Sequence, residues 1–419
     1  MNRGKLGSKE TDQEADKQTG DRVLVLALLA LASGHTLSTL LRTIPALTID
    51  LMASDLDTPP QTLASLTSIY PFAFAAAQIP VGAAMDRFGV RPVSLSLLGG
   101  TIVGATVSGL APGPVMFLLG QLMLGIATSG MLMCPMTLAA KQVSAARFGL
   151  WSGMILAVGN IGMLLSSSPL AWVIEQYGWR ASFWVSAVYG MVVAAAVFVL
   201  VPGQKEPHTA HASPLSEMAE VLRLGFSRPL RGIIALSLVS LAASLVLRGL
   251  WGGPWLMDVK GLGRIEAGNA LGLFTIALIV GPLLIGVLDR TVGHRRAILA
   301  VSNFVAALLL VLMAAGAPHY FVSNLFGVTM MSPSYDLVLL VLIGLAVSAP
   351  ALLYGMTRQL VEPQNAGKAL SAVNLAFFLG AALMQSSSGV VAVAYGLPAV
   401  LIFMALALLV GCILFLAYT

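Results

Sequence analysis

Apolar residues along this chain come in long uninterrupted blocks rather than in amphipathic alternation. Twelve blocks stand out, at about 23–49, 62–84, 93–111, 115–139, 149–174, 181–201, 232–257, 266–288, 296–315, 336–357, 369–393 and 397–418. Each is near or above the roughly 20 residues an α-helix needs to cross a bilayer. Strands of a membrane barrel would be about ten residues long with alternating polarity. The pattern therefore predicts an all-α membrane protein with twelve transmembrane helices. The longest interior polar segment, 202–231, opens with Pro202-Gly203-Gln204-Lys205-Glu206-Pro207 and holds an amphipathic stretch from Leu215 to Leu224. It divides the chain into an N-terminal six-helix bundle (23–201), a cytoplasmic linker with a short amphipathic helix, and a C-terminal six-helix bundle (232–419). Residues 1–22 are polar, with five basic and five acidic side chains, and with little to bury they are expected to form a disordered cytoplasmic tail. Ala30-Leu31-Ala32 resembles the end of a signal peptide. The charge-balanced leader and an apolar block that continues to about Leu51 favour an uncleaved first helix instead.

Composition agrees with the pattern: 58% of the 419 residues are hydrophobic and 10% charged, against about 25% charged in soluble domains. Soluble enzymes, secreted disulfide scaffolds and disordered regulators are excluded. The net charge of +5 and the sequence pI near 9.3 do not point to nucleic acid, because the basic residues are scattered. They segregate by side instead. With the N-terminus inside, eighteen of the 23 Lys and Arg fall on the inner side, three (Arg180, Lys260, Arg264) outside and two (Arg42, Arg248) within spans. That asymmetry puts both ends in the cytoplasm of a cell inner membrane. Cys134 and Cys412 both lie in apolar blocks and read as small buried hydrophobes.

The two halves repeat. Asp86-Arg87 recurs as Asp289-Arg290, 203 positions on, and Arg42 as Arg248, 206 on. Gly125-Ile-Ala-Thr-Ser129 resembles Gly344-Leu-Ala-Val-Ser348, and Gly162 and Ser168 match Gly380 and Ser386. The larger spacing of these later pairs comes from the long outer loop around 317–335. Parallel repeats of this kind place a substrate site at their interface near the bilayer midplane. Gly82-Ala-Ala-Met-Asp86-Arg87-Phe-Gly89-Val-Arg91 resembles the signature loop of the major facilitator superfamily. Glycines there allow a tight turn and close helix contact, and the Asp and Arg can pair with each other or with helix ends. The resemblance covers nearly the whole chain and implies two pseudo-symmetric bundles. It also implies a gating role for Gly82, Asp86, Arg87, Gly89 and Arg91, and by repetition for Asp289 and Arg290. The second copy departs from the pattern, with Ile285 in place of the first glycine and one residue inserted before Gly293.

A charge at membrane depth is costly and is by default functional. None of the eighteen acids lies mid-span, with Asp50, Glu175 and Asp258 at outer helix ends, whereas Arg42 and Arg248 occupy equivalent places in helices one and seven. At 100° per residue, Arg42 shares a face with Thr39, Ser38 and His35, and Arg248 with Ser244, Ser240 and Ser237. Two guanidiniums facing one cavity make a fork for an anion; the alternative is that each snorkels outward or binds helix-end carbonyls. Leu41-Arg42-Thr-Ile-Pro-Ala46-Leu47 and Leu247-Arg248-Gly-Leu-Trp-Gly-Gly-Pro254 are similar to helices one and seven of the organophosphate:phosphate antiporters. That resemblance implies a phosphate-binding arginine at each of the two positions. Drug antiporters of the superfamily carry a fourth-helix arginine where this chain has Gln121. Their fifth helix has a Gly-Pro followed by paired glycines where this one reads Ser166-Ser-Ser-Pro169.

His35, the one histidine within a span, can titrate near neutral pH and couple protons, or serve as a hydrogen-bonded structural residue. Gln78, Gln121, Asn160, Asn303, Asn374 and Tyr354 are candidate neutral donors to a substrate or bonds between helices. No Walker loop, metal-ligand cluster or embedded nucleophile with a base is apparent, so no enzyme activity and no cofactor are expected. The expected function is secondary active transport by alternating access of a small, anionic solute, through anion exchange or proton coupling, by a monomer in the bilayer. The alternatives are efflux of hydrophobic drugs, indifferent to Arg42→Ala, and a transporter-like membrane sensor.

Overall fold

The computed structural model describes residues 4–203, 214–319, 321–362 and 365–419. Among these, twelve helical segments are long and apolar enough to cross a membrane. They are Arg22–Leu47, Pro60–Phe88, Val90–Leu110, Pro114–Gln142, Leu150–Tyr177, Arg180–Leu200, Arg228–Val259, Arg264–Val292, Arg295–Ala315, Pro333–Leu360, Ala366–Tyr395 and Leu397–Tyr418, or spans 1 to 12. Each apolar block of the sequence becomes one span. The first helix begins ahead of the apolar block, running Gly4–Thr43, so residues 4–21 continue span 1 on its N-terminal side. Their Glu, Lys, Gln and Ala residues are good helix formers, and lengthening an existing helix needs no new nucleation step. The linker contains a helix at Pro214–Gly225. Residues 204–213, with Lys205, His208 and His211, lie outside the described residues.

The packing repeats along with the sequence. In the first half, span 1 packs on spans 5 and 6, span 3 on spans 4 and 6, and span 2 on span 4. In the second, span 7 packs on spans 11 and 12, span 9 on spans 10 and 12, and span 8 on span 10. This is a single pattern used twice. Lipid tails supply no hydrophobic force between helices, so close packing depends on small residues. A Cβ added at Gly162 would lie 2.0 Å from the Thr36 carbonyl oxygen, and one at Gly380 would lie 1.8 Å from that of Leu238. The first contact joins spans 1 and 5, and the second their counterparts, spans 7 and 11. Between halves, span 1 meets span 7, span 2 meets span 11, and span 5 meets span 8.

The two ends of the molecule differ. At the face opposite the 86–91 and 289–296 loops, the halves are closed on each other. Arg264 Nη2 pairs with Asp50 Oδ2 at 2.6 Å, and its Nη1 donates to the Leu47 carbonyl. Ser65 donates to the Ser386 carbonyl, and Ser168 bonds Asn269. Nearby, Asp55 accepts hydrogen bonds from Trp179 Nε1 (2.8 Å) and Arg180, which hold its carboxyl below the ordinary range.

Lys260, just beyond span 7 at this closed face, is buried. Its side chain is fully buried, 2.9 Å from the equally buried Asp336, and it also donates to the carbonyls of Gly316 and Met331. Trp255 Nε1 donates to the other Asp336 oxygen at 2.8 Å. The far end of span 7 is thereby fastened to span 10 and to the long loop before it. At the loop face the halves stand apart, spanned by the linker helix, whose Glu220 pairs with Lys368 of span 11.

Candidate functional site

Span 7 is not a uniform helix where Arg248 lies. Pro254 has no N–H to give its preceding turn, and the helix widens into π-turns at Leu247–Trp251 and Trp255–Val259, with Gly252–Pro254 between them. Such bulges are concentrated at functional sites because they re-aim side chains. Arg248, on the first π-turn, is 1% exposed. Its Nε donates to Thr275 Oγ1 of span 8 at 2.7 Å. Its Nη2 faces the Met163 carbonyl (2.6 Å), Ser167 Oγ (2.9 Å) and Ser166 Oγ (3.1 Å) of span 5. The remaining nitrogen, Nη1, is buried without a hydrogen-bond partner. Arg248 is therefore a latch between the halves with one donor nitrogen left over.

Arg42 is half-buried in the last turn of the span 1 α-helix. Its guanidinium carbon lies 5.6 Å from the Phe74 ring centre and 5.5 Å from that of Phe378, distances at which the ring faces attract a cation. The two rings belong to spans 2 and 11, and their centres are 4.2 Å apart. Among the described residues no hydrogen bond or ion pair holds the Arg42 guanidinium.

Both arginines line one cavity of about 330 Å³ between the halves, a size typical of small-molecule sites. The cavity also brings together His35, Thr39, Asn160, Ser244, Tyr354 and Asn374, and no Asp, Glu or Lys is among its described lining residues. His35 Nδ1 is buried without a partner, and the ring lies against Gly159, where a Cβ would come 2.0 Å from it. Three expected residues are elsewhere. Ser38 is buried against span 4, with its Oγ 3.5 Å from the Thr128 carbonyl. Gln121 bonds Ser108 and lines a much smaller pocket on the other side of Arg42. Asn303 is buried on the Leu299 carbonyl.

A wider vestibule of about 730 Å³ opens toward the loop face. It shares Gln78, Leu132, Met133, Tyr354 and Asn374 with the cavity. Tyr354 Oη donates to Asn374 Oδ1 (2.8 Å), and Asn374 Nδ2 donates to Gln78 Oε1 (2.9 Å). This chain runs from span 10 through span 11 to span 2 at the cavity's entrance, and sequence reasoning had no signal for the connection. Asn374→Ala should remove two bonds of about 0.6 kcal/mol each. Only the bond to Gln78 crosses between the halves, so the expected result is a shift of roughly threefold toward wider separation of spans 2 and 11, read as distances between spin labels at the loop face.

Two of the predicted gating residues lie at this opening. Gly82 and Asp86 line the vestibule, and Asp86 is exposed and forms no ion pair among the described residues. Arg87 lies over Phe88, while Arg91 donates to the Phe198 carbonyl at 2.6 Å. Gly89, at φ 86°, separates spans 2 and 3. In the second copy Asp289 pairs with Arg295 at 3.0 Å, and Arg290 is exposed. The missed contributors to the site are Phe74, Phe378, Thr275, Ser166 and Ser167. Apolar or hydroxyl residues inside apolar blocks are indistinguishable from ordinary packing until the helices are assembled.

The family model described as Major Facilitator Superfamily matches residues 31–335 and 249–419. The chain is 24% identical over 307 residues to the MFS-type transporter calB of Penicillium decumbens, a match covering 70% of this chain and 51% of calB. It is 27% identical over 241 residues to the chloramphenicol resistance protein of Streptomyces lividans, covering 56% and 59% respectively. The chain thus spans about half the length of calB, and less of some other relatives. Among solved structures, the nucleoside transporter NupG superposes with a TM-score of 0.73 at 15% identity, covering 94% of this chain and 98% of that one. A POT family transporter in complex with 5-aminolevulinic acid gives 0.77 at 12% identity, covering 94% and 95%. At these identities the likeness is one of fold.

Proposed function

Because the chain belongs to the Major Facilitator Superfamily, we propose that it carries a small anionic solute across the membrane by alternating access, with Arg42 and Arg248 holding the anion. The observation that carries this reading is a single cavity lined by both Arg42, which has no hydrogen-bond or ion-pair partner among the described residues, and Arg248, whose Nη1 is unpartnered, and by no described acid. A cationic solute would meet uncompensated like charge there. Anion exchange needs no titrating carboxylate, and coupling to protons through His35 is the variant. The excess of basic residues on the loop face makes that face cytoplasmic, so the state described is inward-open. The exposed, unpaired Asp86 suits a gating loop that engages when the cytoplasmic side closes.

Efflux of a hydrophobic compound is the second reading. It is favoured by the apolar cavity walls and by relatives such as the chloramphenicol resistance protein. Flux into proteoliposomes separates the two. Under the anion reading, Arg42→Gln loses charge-assisted hydrogen bonds worth about 1.5–3 kcal/mol, or roughly 10- to 150-fold in solute affinity. Unchanged transport of a neutral lipophilic compound by Arg42→Gln, with no anion flux in the parent, would establish efflux. Binding without flux of any anion would instead point to a sensor.

A further inference from the structure

We infer that the solute is an organic acid with an apolar body, seated head-first, its acid group between Arg42 and Arg248 and its body extending toward the vestibule. The inference rests on the anionic reading above and narrows it. The arginines occupy the closed end, since Arg42 also lines the small pocket beyond the cavity while Tyr354, Asn374 and Gln78 stand at the entrance. Between them the walls carry Leu132, Met133, Leu156, Leu241, Leu278 and Val347.

Apart from His35 and Asn160, the polar groups on those walls are largely committed. Thr39 donates to the Gly159 carbonyl, Ser244 to that of Leu241, and Ser348 to that of Gly344. Tyr354, Asn374 and Gln78 are bonded in series. A sugar phosphate would leave hydroxyls against leucine and methionine, which is unfavourable for any polar group without a partner. Inorganic phosphate would leave most of about 330 Å³ as water against apolar walls. The head site is equally restricted. Three of the four acceptors around Arg248 belong to span 5, leaving only Nη1 free, and Phe74 and Phe378 flank the Arg42 guanidinium. One compact acid group matches this donor set, and an apolar tail matches the walls.

The test is binding to the full chain in nanodiscs, followed by the shift in melting midpoint. The probes are acetate, butanoate, hexanoate, hexanamide, inorganic phosphate and glycerol 3-phosphate. Affinity should rise about fourfold per added methylene along the carboxylates, the equivalent of about 0.8 kcal/mol per buried CH₂. Hexanoate should bind more tightly than hexanamide in the parent, and Arg42→Gln should abolish that preference. Phosphate or glycerol 3-phosphate binding better than hexanoate, with no dependence on chain length, would overturn the inference and leave the anionic reading standing. Equal binding of hexanoate and hexanamide in the parent would overturn the anionic reading itself.

Discussion

A valine at position 253 is expected to stop transport almost completely while leaving the protein folded in the membrane. At the closed face, spans 1 and 7 meet backbone to backbone, and a Cβ on Gly253 would lie 1.5 Å from the Ala46 carbonyl oxygen. No side-chain rearrangement relieves that conflict, because the opposing atom is main chain. The two halves have to separate instead, so valine excludes the closed form of this face. From an evenly balanced equilibrium, about 2.7 kcal/mol is enough to bias two states to about 99:1, and a contact this short exceeds that. Leu47 is fully buried in the same closed contact and makes a reporter. In Leu47→Cys an impermeant thiol reagent should react slowly, and in the Gly253→Val background it should react rapidly. Background labelling is low, because Cys134 and Cys412 are both buried. Equal protection of Cys at 47 in both backgrounds would show that the Ala46–Gly253 approach does not control closure.

Asp336→Leu should be the most destabilising of the single substitutions considered. Removing one partner of a buried ion pair costs about 3–5 kcal/mol, since the other charge stays buried without compensation. Lys260 would keep the carbonyls of Gly316 and Met331 but lose its counter-charge, and Trp255 would lose its acceptor. Replacing both, as Lys260→Met with Asp336→Leu, should restore part of the loss, because no charge is then left buried without compensation, while Trp255 Nε1 still lacks its acceptor. Thermal unfolding in nanodiscs should therefore place the double variant between the parent and Asp336→Leu. A double variant as unstable as Asp336→Leu would mean that the charges are needed for more than each other.

Several properties of the site were legible along the chain. Arg42 and Arg248 were identifiable as a pair because a charge inside an apolar block is conspicuous and because the two halves repeat. His35, Asn160, Asn374 and Tyr354 were visible as polar interruptions, and all four line the cavity. Ser38 and Gln121 were equally visible yet turn away from it, toward span 4 and Ser108. A helical-face argument gives direction around one helix axis but not which neighbour occupies that direction. Phe74 and Phe378 carried no signal because a phenylalanine in an apolar span is unremarkable until another helix brings a cation to its face.

The sequence by itself determined the number of spans, their grouping into two repeats, the side on which basic charge collects and the two embedded cations. These follow from solvation, a local and nearly additive property of each segment: a run of apolar residues prefers lipid whatever its neighbours do. Only the tertiary structure decided that Lys260 is buried on Asp336, that Arg248 latches span 5 with one nitrogen left over, and that the halves meet at Ala46 and Gly253 while standing open at the loop face. Those are pairwise contacts between segments far apart in the chain. Their energies depend on distance and on the partner, and no single segment encodes either.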